Sequence, residues 1–119
     1  MFDCFKCGGE TRVTKAVCRR CGLGYEGEFE TPRLARLGAA DRALVEALIM
    51  SAGNLSRVSE TMNVSYPTLR KRMDALIDRL SDLRRSDAER VEGMLTAVEK
   101  GEMDPEAAAR LIEEMGGDA

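Results

Sequence analysis

The chain contains no histidine. That removes histidine-based triads, histidine general bases and histidine metal ligands at once. It also has no tryptophan, and only two tyrosines and three phenylalanines. With 33% of its 119 residues charged, it is not expected to bury one large core. Small modules supported by metal and by helix packing are expected instead. No apolar run approaches the ~20 residues needed to cross a bilayer. The opening MFDCFKCGGE lacks the charged head and apolar stretch of a signal peptide. The expected location is therefore cytoplasmic, with no membrane partner. No glycine-rich phosphate loop precedes a helix, and the pair Glu113-Glu114 falls in an acidic helix with no pocket around it. No enzyme is expected.

What is present is unevenly distributed. Residues 1–37 carry seven basic and five acidic side chains, residues 38–85 eight and six, and residues 86–119 three and ten. The net charge of −3 thus hides a mildly basic body and an acidic tail.

All four cysteines lie in the first 21 residues, as Cys4-Phe5-Lys6-Cys7 and Cys18-Arg19-Arg20-Cys21. Two intervening residues let a tight turn aim both sulfurs at one ion. Gly8-Gly9 and Gly22 follow the pairs and let backbone amides turn toward the thiolates. Two such knuckles suit one tetrahedral, structural Zn2+ held by Cys4, Cys7, Cys18 and Cys21. Two disulfides, or a redox pair, are the alternative. They need secretion or a surrounding α/β domain, and neither is indicated. Strands are predicted over residues 11–15 and 25–30. In the second, Tyr25, Gly27 and Phe29 alternate with Glu26, Glu28 and Glu30.

Residues 32–40 read as a linker, with Leu34 and Leu37 docking on a neighbouring module. A first helix should start near Asp41 as N-cap, with Leu44, Val45, Leu48 and Ile49 on one stripe, and end at Gly53. Asn54 should cap a second helix with Leu55, Val58 and Met62 inside. Residues 63–65 make a turn, and Ser65 caps a third helix with Pro67 in its first turn. Leu69, Met73, Leu76, Ile77 and Leu80 form its stripe. Tyr66, Thr68, Arg70, Lys71 and Arg72 are left for solvent or DNA. This is the layout of a helix-turn-helix, whose second helix enters the major groove.

In the tail, Ser86-Asp87-Ala88-Glu89 fits a capping box, so a new helix is predicted there. Val91, Met94, Leu95 and Val98 follow, and Gly101 stops it. Asp104 and Pro105 start a last helix with Ala108, Leu111, Ile112 and Met115 on its apolar face, ended by Gly116-Gly117.

Three resemblances attach to these residues. Gly53-Asn54-Leu55-Ser56, with residues 64–73, resembles the Fis-type helix-turn-helix that also closes bacterial enhancer-binding activators. That likeness implies phosphate contacts for Asn54 and Ser56. It also implies groove or wall contacts for Ser65, Tyr66, Thr68, Arg70 and Lys71. It departs at Tyr66 and Pro67, where a basic residue and a glycine are common, so base preference does not transfer. GEMDPEAAARLIEEMG resembles SHOCT-like C-terminal helical hairpins, which implies oligomerisation or protein contacts. The order of modules, with FETPRLARL between them, resembles a bacterial family of small uncharacterised zinc-ribbon/helix-turn-helix proteins (a domain of unknown function).

The expected fold is mainly α with a small N-terminal β zinc ribbon. Its modules are the ribbon (1–31), the linker (32–40), a three-helix helix-turn-helix domain (41–85) and an acidic helical hairpin (86–119). The expected function is a bacterial, DNA-binding transcription regulator that reads duplex DNA, as a homodimer or higher oligomer. The alternative is a zinc-ribbon adaptor that meets the transcription machinery (a sigma or anti-sigma factor, or RNA polymerase) without touching DNA. One control mechanism follows from charge: the acidic tail folds over residues 70–72 and competes with phosphate.

Overall fold

The structure is a computed structural model that describes residues 3–115. The expected helix stop at Gly116-Gly117 lies outside them. Four helices follow a small two-stranded antiparallel sheet. The elements are β1 (Val13–Val17), β2 (Gly24–Phe29), a 3-10 turn (Arg33–Arg36), α1 (Ala39–Met50), α2 (Leu55–Met62), α3 (Tyr66–Glu99) and α4 (Pro105–Glu114). No helix among the described residues is long and apolar enough to cross a membrane.

The sheet pairs Val13 with Phe29, Lys15 with Glu26, Ala16 with Tyr25 and Val17 with Gly24, with an irregularity between Val13 and Lys15. β1 begins two residues later than the strand predicted over residues 11–15. The apolar face of β2 is not buried: Tyr25 is 54% exposed, and only Phe29 is half-buried. No residue of the described segment 3–31 is fully buried. Arg12–Glu28 (2.8 Å) and Lys15–Glu26 (3.8 Å) cross the strands, but both pairs are exposed and stabilise little. A two-stranded hairpin of this kind is marginal in water on its own.

The core lies further on. Leu37, Leu44, Val58, Leu69 and Leu76 are each at most 5% exposed, with Val45, Leu48, Leu55, Met62 and Met73 packed around them. The linker residue Leu37 docks as expected. Leu34 does not, being 51% exposed. The stripes are otherwise as the 3.6-residue period demands, except that Ile49 (75%) and Ile77 (53%) sit at their outer edges in solvent.

Helix ends follow local chemistry. α1 starts two residues before Asp41, with Gly38 at its N-cap. Asp41 instead lies in the first turn and accepts two hydrogen bonds from Arg79, at 2.5 and 2.6 Å. That fork fastens α1 to α3. Gly53, at φ +78°, turns the chain out of α1 and donates its N–H to the Leu48 carbonyl at 2.8 Å.

The capping box at Ser86 does not operate. α3 runs unbroken through it for 34 residues, so the expected boundary between residues 85 and 86 falls inside a helix. Nothing between Pro67 and Gly93 breaks a helix, and Ser86 is an exposed mid-helix side chain. Its neighbour Asp87 explains why this turn stays ordered. Its carboxylate is 3% exposed and accepts from Arg33 Nε (2.9 Å) and Arg36 Nη2 (2.5 Å). One turn on, both guanidinium Nη groups of Arg90 hold the Glu30 carboxylate. The linker is thus sewn to the middle of α3.

At the far end Gly101 (φ +72°) reverses the chain, and Asp104 caps α4 by accepting from the Ala107 N–H at 3.2 Å. α4 packs back on α3 through Ala108 and Met115. The molecule is elongated, with a radius of gyration of 17.9 Å. A compact chain of this length would have about 13–14 Å. α3 alone accounts for about 50 Å of length. Arg72 and Glu99 lie about 40 Å apart along it, and α4 reaches back only about 15 Å. In this arrangement the described part of the tail does not reach residues 70–72 of the same chain.

Two outcomes follow. Asp87→Ala leaves two largely buried guanidinium groups without their carboxylate and should cost about 3–5 kcal/mol in urea unfolding. The Asp41 carboxyl is held below its ordinary value of 3.8, first by the hydrogen bonds from Arg79 and then by that cation's charge. A depressed carboxyl stabilises the fold above its unfolded-state pKa and loses that contribution as pH falls through the folded one. Wild type should therefore exceed Asp41→Asn in urea midpoint at pH 7. The gap should start to close near pH 3.8 and vanish in stronger acid.

Candidate nucleic-acid interface and cysteine knuckles

α2, the turn and the start of α3 are positioned by two side-chain caps. Asn54 Oδ1 accepts from the Arg57 N–H at 3.3 Å. Ser65 Oγ accepts from the Thr68 N–H at 3.3 Å and donates to Thr68 Oγ1 at 2.8 Å. These oxygens satisfy helix amides that would otherwise be orphaned. Asn63 takes the left-handed conformation between the helices (φ 52°). Ser59 Oγ donates to the Val64 carbonyl at 2.6 Å and closes the turn from inside. Ser59 is a positioning residue that sequence reasoning missed, because a serine inside a helix gives no signal until its turn is folded.

Ser56, Tyr66, Thr68, Arg70, Lys71 and Arg72 are all exposed. The last three do not form one patch. Consecutive helical residues are about 100° apart, so the triplet fans round the helix. Tyr66 and Arg70 share one row, at i and i+4. Thr68, Lys71 and Arg72 share another. Lys71 and Arg72 line a depression of about 480 Å³ against α1, with Asp41, Met62 and Arg79 also in its wall. Arg70 lies on the opposite flank, loosely paired with Asp74 at 3.9 Å. Among the described residues no ion pair involves Arg57, Lys71 or Arg72. Arg57, exposed in the first turn of α2, is a further cation on this end of the molecule that the sequence reading did not single out.

An acidic row limits the interface. Asp74, Asp78 and Asp82 recur every fourth residue on the exposed side of α3. Phosphate is repelled there, so the helix can offer DNA only its first two turns. Counting charges per segment could not reveal this, because the cations and carboxylates occupy different turns of one helix.

The two cysteine turns repeat one geometry. The Cys4 N–H donates to the Gly9 carbonyl and the Gly8 N–H to the Cys4 carbonyl, both at 2.8 Å. In the second turn the Cys18 N–H donates to the Leu23 carbonyl (2.8 Å) and the Gly22 N–H to the Cys18 carbonyl (2.9 Å). Gly8 and Gly22 sit at φ +72° and +77°, which a Cβ would strain. The Lys6 and Gly9 amides approach Cys4 Sγ and Cys7 Sγ, each at 3.4 Å. The thiols of Cys4 and Cys18 are drawn below their ordinary value of 9.0, first by the backbone amides of Cys7 and Cys21, then by those of Lys6 and Arg20. Within each pair the donor chemistry fits a thiolate-bound ion. Among the described residues no three ligand-type side chains are gathered round one point. No disulfide joins the four cysteines.

No curated protein and no solved structure matches the chain. Residues 37–82 match the family described as "Domain of unknown function (DUF2089)-HTH", so the unit built from Leu37, α1, α2 and the first half of α3 is similar to an uncharacterised helix-turn-helix domain.

Proposed function

We propose that the chain is a non-enzymatic, DNA-binding transcription regulator in which the first two turns of α3 enter the major groove of duplex DNA. The observation that carries this reading is the capped α2–turn–α3 unit. It leaves Tyr66, Thr68, Arg70 and Lys71 in solvent and starts its acidic row only at Asp74. Recognition helices contact bases with their N-terminal residues, and this charge order suits such an end-on approach. Arg70 and Lys71 suit guanine edges or phosphates, Tyr66 and Thr68 phosphates or a thymine methyl. Arg72, Arg57 and the amides at the start of α2, beside Asn54 and Ser56, flank the groove as phosphate contacts. One such unit reads few base pairs, so two copies are assigned to two half-sites.

In the same proposal Cys4, Cys7, Cys18 and Cys21 hold one structural Zn2+. The ion, when bound, supplies cross-linking energy. The ribbon needs that energy because residues 3–31 bury no core of their own. Gly8 and Gly22 shape the turns, and the Lys6 and Gly9 amides stabilise thiolate charge. A second reading, an adaptor that meets the transcription machinery without DNA, is favoured by the carboxylate row of α3 and the exposed glutamates of β2.

Titration of a fluorescent pool of genomic duplexes at two salt concentrations separates the readings. Binding should weaken with a log–log slope of about −0.9 per phosphate neutralised. The triple change Arg70→Ala, Lys71→Ala, Arg72→Ala should lower affinity more than tenfold and flatten that slope by about one unit per lost contact. No binding at either salt concentration would leave the adaptor reading. For the metal, elemental analysis of the purified chain should find one zinc per chain. Strong chelation, or Cys18→Ser, should release it and expose all free thiols to a thiol reagent while leaving the helical circular dichroism in place. A metal-free chain with an unchanged ribbon spectrum would overturn the zinc assignment.

A further inference from the structure

The α3–α4 hairpin carries an open apolar groove of about 530 Å³, lined by Leu95, Val98, Pro105, Ala108, Ala109 and Ile112. Leu95 is 52% exposed although it belongs to the apolar stripe of α3. Two helices packed side by side bury only their facing stripes. The shoulder between them is where a third helix would seat.

The lips of this groove are acidic by construction. On α3, Leu95 is bracketed by Glu92 at i−3 and Glu99 at i+4. On α4, Ala109 is bracketed by Glu106 and Glu113 at the same spacings. Residues three and four apart are neighbours on a helix, so all four carboxylates border the groove. All four are exposed, and none is in an ion pair among the described residues. Arg90, the nearby cation of α3, is committed to Glu30. Two cations accompany them: Lys100 at the C-cap of α3, and Arg110 in the middle of α4, four residues after Glu106 and three before Glu113, so the lips keep a net negative charge.

We propose that this groove binds a basic amphipathic helix of a partner protein, with leucine-type side chains entering between Leu95 and Ile112 and lysines or arginines meeting Glu92, Glu99, Glu106 and Glu113. Charge decides the occupant. A second copy of the hairpin would bring glutamate lips against glutamate lips, and nucleic acid or an anionic membrane would be repelled. An apolar slot between carboxylates suits the helix-in-groove mode with a cationic helix. The site lies about 35 Å along α3 from Arg72, so DNA and partner can be held together without collision. The proposal does not rest on the DNA reading.

The test uses the full chain and a fluorescein-labelled peptide of about four helical turns. The peptide carries leucine at i, i+3, i+4 and i+7 and lysine elsewhere. Two controls have the same composition with leucines scrambled, or glutamate in place of lysine. Fluorescence anisotropy should show binding of the first peptide, at least tenfold weaker binding of the scrambled one and none of the glutamate one. Leu95→Asn and Ala109→Gln, both at exposed positions, should each cut binding at least tenfold with an unchanged melting curve. Glu92→Gln with Glu99→Gln should weaken it and reduce its salt dependence. Equal binding of the scrambled peptide, or wild-type binding by both groove variants, would overturn the proposal. So would sedimentation showing a dimer that Leu95→Asn dissolves and the peptide does not compete away. Loss of peptide binding with DNA binding retained in Leu95→Asn would separate this site from the one on α3's first turns.

Discussion

One buried carboxylate joins the parts of this molecule. Asp87 sits in the middle of α3 at 3% exposure, held by Arg33 and Arg36 from the 3-10 turn. The turn ends one residue before Leu37, which enters the helical core. The same ion cluster therefore seats the first core residue and sets where the N-terminal sheet leaves the helix, with Glu30 and Arg90 completing it one turn further on. A buried charge is expensive unless it is paired and hydrogen-bonded, so this register of linker against helix is sharply preferred over its neighbours.

The clamp also explains the length of α3. The first part of that helix is held by leucines of the helix-turn-helix core, and the last part by the apolar face of α4. The middle has Leu83 against the core and, beyond it, the ion pairs of Asp87 and Arg90. A continuous helix then acts as a spacer. It keeps an acidic hairpin away from the exposed cations near Thr68, Arg70 and Lys71, at a distance where charges in solvent are largely screened from one another.

Charge is ordered along this rod rather than pooled. The cations occupy the first two turns of α3, a carboxylate row follows from Asp74 to Asp82, and glutamates border the groove at the far end. The net charge of each segment blurs this sequence, whereas the angular position of each side chain reveals it. The N-terminal two-stranded sheet stands at the opposite extreme. It has paired strands and two matched cysteine turns, but none of its described residues is buried.

Local chemistry was legible in the sequence because it acts over three or four residues. The caps at Asn54, Ser65 and Asp104, the glycine stops at Gly53 and Gly101, and the leucine stripes of the core all follow from spacing alone. Ser86-Asp87-Ala88-Glu89 also has local meaning as a cap, but there the local meaning lost. Whether that segment starts a helix or continues one is decided by Arg33 and Arg36, which are more than fifty residues away and reach Asp87 only in the folded chain. Likewise Asp41 is held in a fork by Arg79, 38 residues away, and only the packing of α1 makes Lys71 and Arg72 the wall of a depression. The sequence by itself determined which helices and turns form. The tertiary structure decided which charges are buried, which faces remain open and how far apart the two ends are held, because those depend on partners distant in the chain.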